Sequence, residues 1–329
     1  MPTSAAALRC APRRPLRRGA RRPLGRPALG LALAVLLAPA AARSQGAMGH
    51  PLPPALRPLH VLLARSDAVA IGTIDAVDGG RIRVRGAVAV VGDPGGSFEL
   101  KRAPSNPPSF APGARALLLL RGARSPYVLA EEPRESVLFA SEEAEARWRA
   151  ALPELHAALR DPVRLRDVYL AWADGADDGL REQALRGLYD AEAPFQPLPP
   201  ELTRERARMA LDPARAPGSR RASAAIAVLD PAGAAALVAA VPGAVPEPDP
   251  VRAEVYEIAL QGGLMRRNEV GTVAAIRRGL AASDTGVRRV AARWGAQLSL
   301  PDVRAAVAKL AGDPDPEVRR IAEKAAAGS

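Results

Sequence analysis

The sequence predicts two regions of different build: a small antiparallel β-barrel or sandwich, followed by an all-α solenoid of repeated helix pairs. Three observations predict them. Residues 67–101 alternate apolar and polar side chains at period two between glycine-rich turns. From Ser141 the apolar positions switch to a helical period. Within that second region Asp284-Thr285-Gly286-Val287-Arg288-Arg289-Val290-Ala291 returns 31 residues later as Asp315-Pro316-Glu317-Val318-Arg319-Arg320-Ile321-Ala322, and a fixed period of this size marks an architecture of repeated units. At 48% hydrophobic and 25% charged, the 329 residues match a globular average, which excludes a wholly disordered chain and a polytopic membrane protein. With only 3 Trp, 4 Tyr and 4 Phe, the cores must be built from small aliphatics.

The first 42 residues read as an export signal. Arg9, Arg13, Arg14, Arg17, Arg18, Arg21, Arg22 and Arg26 precede the apolar run Ala28–Ala42 with no acid among them, and that run ends in Ala40-Ala41-Ala42. A basic segment, a short apolar segment and small residues at a cleavage site are what a secretory signal requires, and the run is too short to span a bilayer. Cleavage after Ala42 would leave 38 basic against 35 acidic residues, a balance of +3 instead of +11. The high isoelectric point therefore belongs to the leader, and a nucleic-acid partner is not expected. The expected location is secreted or periplasmic. Arg13-Arg14-Pro15-Leu16 and Arg21-Arg22-Pro23-Leu24 also resemble a twin-arginine motif, although paired arginines carry little weight where only 3 of 46 basic residues are Lys. Cys10, the sole cysteine, lies ahead of the apolar run. A cleaved chain has no thiol for disulfides, nucleophilic chemistry or zinc.

Residues 43–58 carry Pro51, Pro53, Pro54 and Pro58 and read as a stiff linker. The β-region, 59–140, then follows strand by strand. Val69, Ile71 and Thr73 share one face; Asp78-Gly79-Gly80 turns; Arg81-Ile82-Arg83-Val84-Arg85 puts arginines outside and aliphatics inside, giving a hairpin with one wet face. Val88–Val91 extends the second strand past Gly86, where a bulge is expected. Phe98 and Leu100 mark a third strand, Ala116–Leu120 and Tyr127–Ala130 two more, and Val137–Phe139 a closing one. Five or six short antiparallel strands favour closure over an open sheet with bare edges.

Residues 141–161 form the expected connecting helix, with Ser141 as cap, Glu142, Glu143 and Glu145 in the first turn, and a break at Pro153. In 162–329 about five helix pairs are expected. Arg181, Arg220, Arg252, Arg288 and Arg319 recur at separations of 39, 32, 36 and 31 residues. Each clean copy opens on an N-capping Asp, Pro316 takes the favoured first helical position, and Val318, Ile321, Ala322 and Ala325 make one apolar stripe. Val287, Val290, Ala291, Trp294 and Leu298 repeat that stripe.

The motif Asp-x-x-Val-Arg-x-x-Ala resembles the opening of the second helix in HEAT repeats, over Pro162–Ala327. The resemblance implies a solenoid whose second helices line a surface that holds protein partners. Ser66-Asp67-Ala68-Val69-Ala70-Ile71-Gly72-Thr73-Ile74 and Phe110–Leu120 resemble secreted small β-barrels of OB or netrin-like type, which implies binding at most.

Asp177, Arg181, Arg252, Asp284, Arg288, Asp315 and Arg319 read as structural repeat positions, because Asp177–Arg181, Asp284–Arg288 and Asp315–Arg319 are i, i+4 pairs of opposite charge. Arg221, Arg289 and Arg320 lack such a built-in acid and are the candidate partner-binding residues. Trp148, Trp172 and Trp294 read as packing, and His50, His60 and His156 lack a second ligand at metal spacing. No catalytic, cofactor-binding or metal site is expected. The expected function is a non-enzymatic extracytoplasmic protein-binding scaffold working through the solenoid groove. The alternatives are an enzyme, since some HEAT-like proteins resemble bilin lyases, and a secreted inhibitor acting through the β-region.

Overall fold

A computed structural model describes residues 56–78, 80–101, 110–131, 135–241, 249–265, 269–298 and 300–327. The expected leader, 1–42, and residues 43–55 of the linker lie outside them. A short helix α1 (Leu59–Leu63) precedes five strands: β1 (Ala68–Asp78), β2 (Arg81–Val91), β3 (Phe98–Lys101), β4 (Arg115–Arg121) and β5 (Val128–Leu129). They form one antiparallel sheet in the order β3-β2-β1-β4-β5. Its two edges meet: Lys101 N–H donates to the Tyr127 carbonyl and Tyr127 N–H to that of Glu99, both at 2.8 Å. The result is a small, nearly closed β-barrel. Gly86, at φ +57°, sits where the β1–β2 register shifts between Ile71 and Thr73, so the bulge falls where only glycine is unstrained. Val137–Phe139 makes no strand, only a bridge from Leu138 to Ala116.

The hairpin has one wet strand, not one wet face. Arg81, Arg83 and Arg85 of β2 are exposed, but β1 is buried on both sides from Ala68 to Ile71. Ala68 and Ala70 point into the barrel with Ile82, Val84, Phe98, Leu118 and Leu120. Val69 and Ile71, with Leu117 and Leu119 of β4, point outward into a second core shared with the helices. A strand covered on both faces reads as a continuous apolar run, which is why the period of β1 fades at its start and Leu117–Leu120 shows none.

Eleven further helices follow among the described residues: α2 (Glu142–Ala158), α3 (Pro162–Asp174), α4 (Asp178–Tyr189), α5 (Pro200–Leu211), α6 (Pro217–Ala227), α7 (Pro231–Ala240), α8 (Arg252–Met265), α9 (Glu269–Leu280), α10 (Thr285–Gln297), α11 (Pro301–Ala308) and α12 (Pro316–Ala327). Ser141 caps α2 by accepting the Ala144 N–H at 3.2 Å. α2 runs unbroken through Pro153, correcting the expected break. Pro153 is exposed, so water can satisfy the carbonyl it leaves free, while Trp148, Leu152, Leu155 and Ala158 keep one buried stripe through it.

From α3 onward the helices pair in order, α3/α4 to α11/α12, and each second helix touches the next along the series α4, α6, α8, α10, α12. One apolar core joins α1 and the outer faces of β1 and β4 to α2, α3 and α4 and reaches Ala222, Ala225 and Ile226 of α6; Ala224 and Ala227 of the same helix start the core that runs on to Ala325. Secondary structure changes at residue 141, but the core does not stop there.

Candidate functional site

The repeated sequence sets the local geometry of the second helices. Asp177, Asp284 and Asp315 each accept the backbone N–H three residues on, from Leu180 (2.9 Å), Val287 (2.9 Å) and Val318 (3.0 Å), which fixes where each helix begins. Each uses Oδ1 for that bond, and none of them binds the arginine four residues later. None of the three expected i, i+4 ion pairs forms.

The arginines instead turn back on the carbonyls that end the first helix of their own pair or lie just beyond it. Arg220 Nε donates to Ala210 (3.0 Å), Arg252 Nε to Val241 (2.8 Å), Arg288 to Ala282 (3.0 Å) and Ser283 (2.8 Å), and Arg319 to Asp313 (2.6 Å) and Pro314 (2.9 Å). Arg181 does the same to the Gly175 carbonyl. These carbonyls have no partner within their helix, so each arginine closes a helix end.

Their remaining donors reach the acids around the next cap. Arg147 of α2 binds Asp177 (2.8 Å), Arg220 grips Asp249 with two nitrogens (2.8 and 2.5 Å), and Arg288 grips Asp313 (2.9 and 3.3 Å). Arg252 lies close enough to Asp284 for that carboxylate to oppose the fall that burial imposes on its pKa. Arg181 lacks such an acid, because α6 starts at Ala216-Pro217-Gly218. Its guanidinium lies against Gly218, where a Cβ would come within 2.6 Å of Nη1; it pairs with Asp178 in its own helix, and its buried Nε has no partner.

Arg221, Arg289 and Arg320 lie outside this framework. Arg221 pairs with Glu254 of α8, and Arg289 with Asp315 (Nε 3.0 Å, Nη2 2.5 Å) and Glu317 (3.6 Å) of α12. The first two therefore have acids after all, one helix pair away. Arg320 is exposed and, among the described residues, makes no hydrogen bond or ion pair. Arg147 of α2, Arg221 of α6, and Arg289 and Arg293 of α10, the last binding Glu257 of α8 at 2.9 Å, make up a row of side chains 43–46% exposed, each bridging to a second helix or its cap.

A different arrangement lies at the seam between barrel and helices. Arg57 closes on Glu135 with Nε (3.1 Å), Nη2 (2.6 Å) and its backbone N–H (2.8 Å). Beside them Glu131 is 5% exposed; its Oε1 accepts only the Leu119 N–H, at 3.4 Å, among other residues, and its Oε2 has no partner among the described residues, nor does the buried Oγ of Ser136. Both line a cavity of about 10 Å³ with Arg57, Leu59, Leu117, Gln183 and Arg186. That holds about one water and no substrate. Burial pushes the Glu131 carboxyl up to about 8; Glu135 adds to the rise, while backbone N–H groups and Arg57 oppose it. Sequence reasoning missed this group, since nothing periodic marks residues 130–137.

Elsewhere at the seam Arg115 binds Glu145 with two nitrogens at 2.8 Å, and Phe139 meets Trp148 edge-on at 6.0 Å. His60 is buried against Tyr169: its N–H donates to the hydroxyl at 3.1 Å, its Nδ1 lies 3.0 Å away, and its Nε2 faces Asp190 at 3.5 Å. Burial lowers the His60 pKa, and Asp190 partly offsets it. His156 is exposed and His50 lies outside the described residues. Trp294 packs, half-buried, against the second core. Among the described residues no cluster of three or more His, Cys, Asp and Glu could hold a metal ion, and no helix is long and apolar enough to cross a membrane.

No protein-family model, curated protein or solved structure matches this chain.

Proposed function

We propose that the protein is a non-enzymatic, extracytoplasmic scaffold in which the five helix pairs form a HEAT-like solenoid and hold a protein partner along their second helices. The observation that carries this reading is the exposed row Arg147, Arg221, Arg289 and Arg293, extended by Arg320. The structural arginines are committed to carbonyls and caps. The row is less so: Arg147 and Arg289 do touch the caps Asp177 and Asp315, but all four guanidinium side chains stay 43–46% exposed, and ion pairs of exposed arginines contribute only about 0–1 kcal/mol each. A partner with an acidic, extended surface fits such a row, and electrostatic steering would make its association salt-sensitive.

The in-order contact of second helix with second helix supports the solenoid. The leader supports export. The lyase alternative gains nothing from the seam, whose cavity admits no substrate.

The test has two arms. N-terminal sequencing of the protein from fractionated cells should find a chain starting near Arg43, and intact Met1 protein in the cytosol at steady state would remove the export part of the reading. Capture from periplasmic extract by the full chain should recover a protein that an Arg221→Ala, Arg289→Ala, Arg320→Ala variant does not. Equal capture by both would take these arginines out of the site.

A further inference from the structure

The seam carries a device that the scaffold reading does not use. Glu131 belongs to the barrel side, just past β5. The elements packed around it bring Leu59 and Leu62 from α1, Leu117 and Leu119 from β4, Glu135, Ser136 and Val137 from the returning chain, and Gln183 and Arg186 from α4. The described charged groups in this shell are already matched: Arg57 by both oxygens of Glu135, Arg186 by Glu182. His60, on the same helix as Leu59 and Leu62, turns instead to Tyr169 and Asp190. If Glu131 ionised, its Oε2 would carry charge beside Glu135 with no cation among the described residues committed to it. A buried charge left unpaired is among the costliest arrangements in a fold, whereas a neutral carboxylic acid is only a polar group with one bond unmade.

We propose that Glu131 is a proton-operated latch between barrel and helices: protonated, it lets β4 and α1 close on α4, and ionised, it loosens that seam and frees the barrel relative to the helix pairs. Its proton is retained into the neutral range, because burial holds the carboxyl at about 8. The sign follows from linkage. The folded state keeps a proton that the unfolded chain, at the ordinary value of 4.5, has lost. Stability from this group is therefore fully present below 4.5 and declines as pH rises through about 8. His60 works the other way: its pKa is lowered from 6.5, so its contribution is present above 6.5 and is lost as pH falls below it. From pH 6.5 to 8 the slope due to His60 fades, and the difference between wild type and Glu131→Gln, which shares it, isolates Glu131.

Urea unfolding of the full chain across that window should show the folding constant falling by up to tenfold per pH unit. Glu131→Gln, which keeps shape and removes the charge, should make it flat. Carbon-13 carboxyl NMR of the wild type needs no variant to fold, and it should show one glutamate titrating above pH 7. Above pH 8, hydrogen exchange corrected for its intrinsic rate should rise at α1 and at residues 117–119 relative to the variant, while α9 to α12 stay protected. Four results would each overturn the proposal: no glutamate titrating above pH 7, the same stability slope in wild type and Glu131→Gln, no added exchange at α1 and residues 117–119, or faster exchange throughout the chain.

Discussion

Along the helix pairs the buried arginines are placed so that an acid of the next pair meets them, as Asp249 meets Arg220 and Asp313 meets Arg288. At the seam the relation is reversed: a carboxyl, Glu131, is buried, and Arg57, the described cation that acts on it, is held by Glu135. The difference teaches how each region is joined. In the array, ion pairs such as Arg220–Asp249 and Arg288–Asp313 are added to a continuous apolar core, where the sequence repeats. At the seam, apolar surface is the connector, with Val69, Ile71, Leu117 and Leu119 meeting Trp148, Leu152 and Leu155. There the unmatched carboxyl of Glu131, beside the unpartnered Ser136 hydroxyl, is a weak point that a proton can cover.

The sharpest break in that comparison is removal of residues 300–329. It uncovers Gly295, which a Cβ would crowd against Val307 and Val303, and it takes away the acid that holds Arg288. A nearest-neighbour array should lose cooperativity from its open end, so the far-UV circular dichroism melt should broaden and shift down by many degrees. The barrel with α1 to α4 shares a separate core and should stay resistant to protease. An unchanged melt would contradict the nearest-neighbour picture.

Next in size is Arg220→Ala. The Arg220 side chain is 4% exposed and its partner Asp249 11%, and loss of the arginine strands both that carboxylate and the Ala210 carbonyl. Removing one member of a buried pair costs about 3 kcal/mol. Arg288→Ala, at 12% and 5% exposure, should fall close behind. That is well above the modest loss expected of an arginine bound only to its own cap. Urea midpoints at constant m-value would measure both, and a loss under about 1 kcal/mol would make these links ordinary surface pairs.

Glu131 and the array's capping carboxylates should respond to pH with opposite sign, whereas Glu145, held below its usual 4.5 by Arg115 at the seam, sides with the array. Burial opposes ionisation of Asp177 and Asp313, yet backbone N–H groups and the paired arginines hold both pKa values below 3.8; for Asp249 the Arg220 bonds dominate and the direction is the same. Their stability is present above 3.8 and is lost as pH falls below it, the opposite of the decline that Glu131 imposes as pH rises. Below pH 4 the α5–α12 amides should therefore lose exchange protection before those of the barrel. Loss in the reverse order would mean that the seam, not the array, is the acid-labile part.

The asymmetry also decides what could be read from the sequence. The repeat was legible because its caps and apolar stripes are local: Asp315 accepts an N–H three residues away. The partners of Arg288 and Arg220 were not, since they lie 25 and 29 residues off, on another pair. The i, i+4 rule failed because the capping carboxylates give one oxygen to the backbone and, at Asp177 and Asp315, the other to an arginine of an earlier helix, while the i+4 arginines turn back on carbonyls. The strands were legible wherever one face met water, as at Arg81, Arg83 and Arg85, and lost their period where helices covered the other face, as at Leu117–Leu120. Glu131 left no signal at all, because its burial is made by β4, α1 and α4 together.

The smallest expected effect separates link from free charge within the array. Arg289 is 46% exposed, and its partner Asp315 keeps the Glu317 and Val318 N–H groups when the arginine is gone. Arg289→Ala should therefore shift stability by no more than about 0.5 kcal/mol. Arg320→Ala should shift it by nothing measurable, since this arginine contacts no acid among the described residues. The two positions are equivalent in the repeat, 31 residues apart, and differ in that Arg289 meets Asp315 and Glu317 while Arg320 meets no acid among the described residues. If the row recruits an acidic partner, Arg320→Ala should weaken binding more than Arg289→Ala at low salt, because Arg320 has no internal bond to break first. Both deficits should shrink toward physiological ionic strength, where screening acts over about 8 Å. Isothermal titration at two salt concentrations would read this directly. Equal affinities for wild type and both variants at low salt would leave Arg320 a solvated charge with no part in recognition.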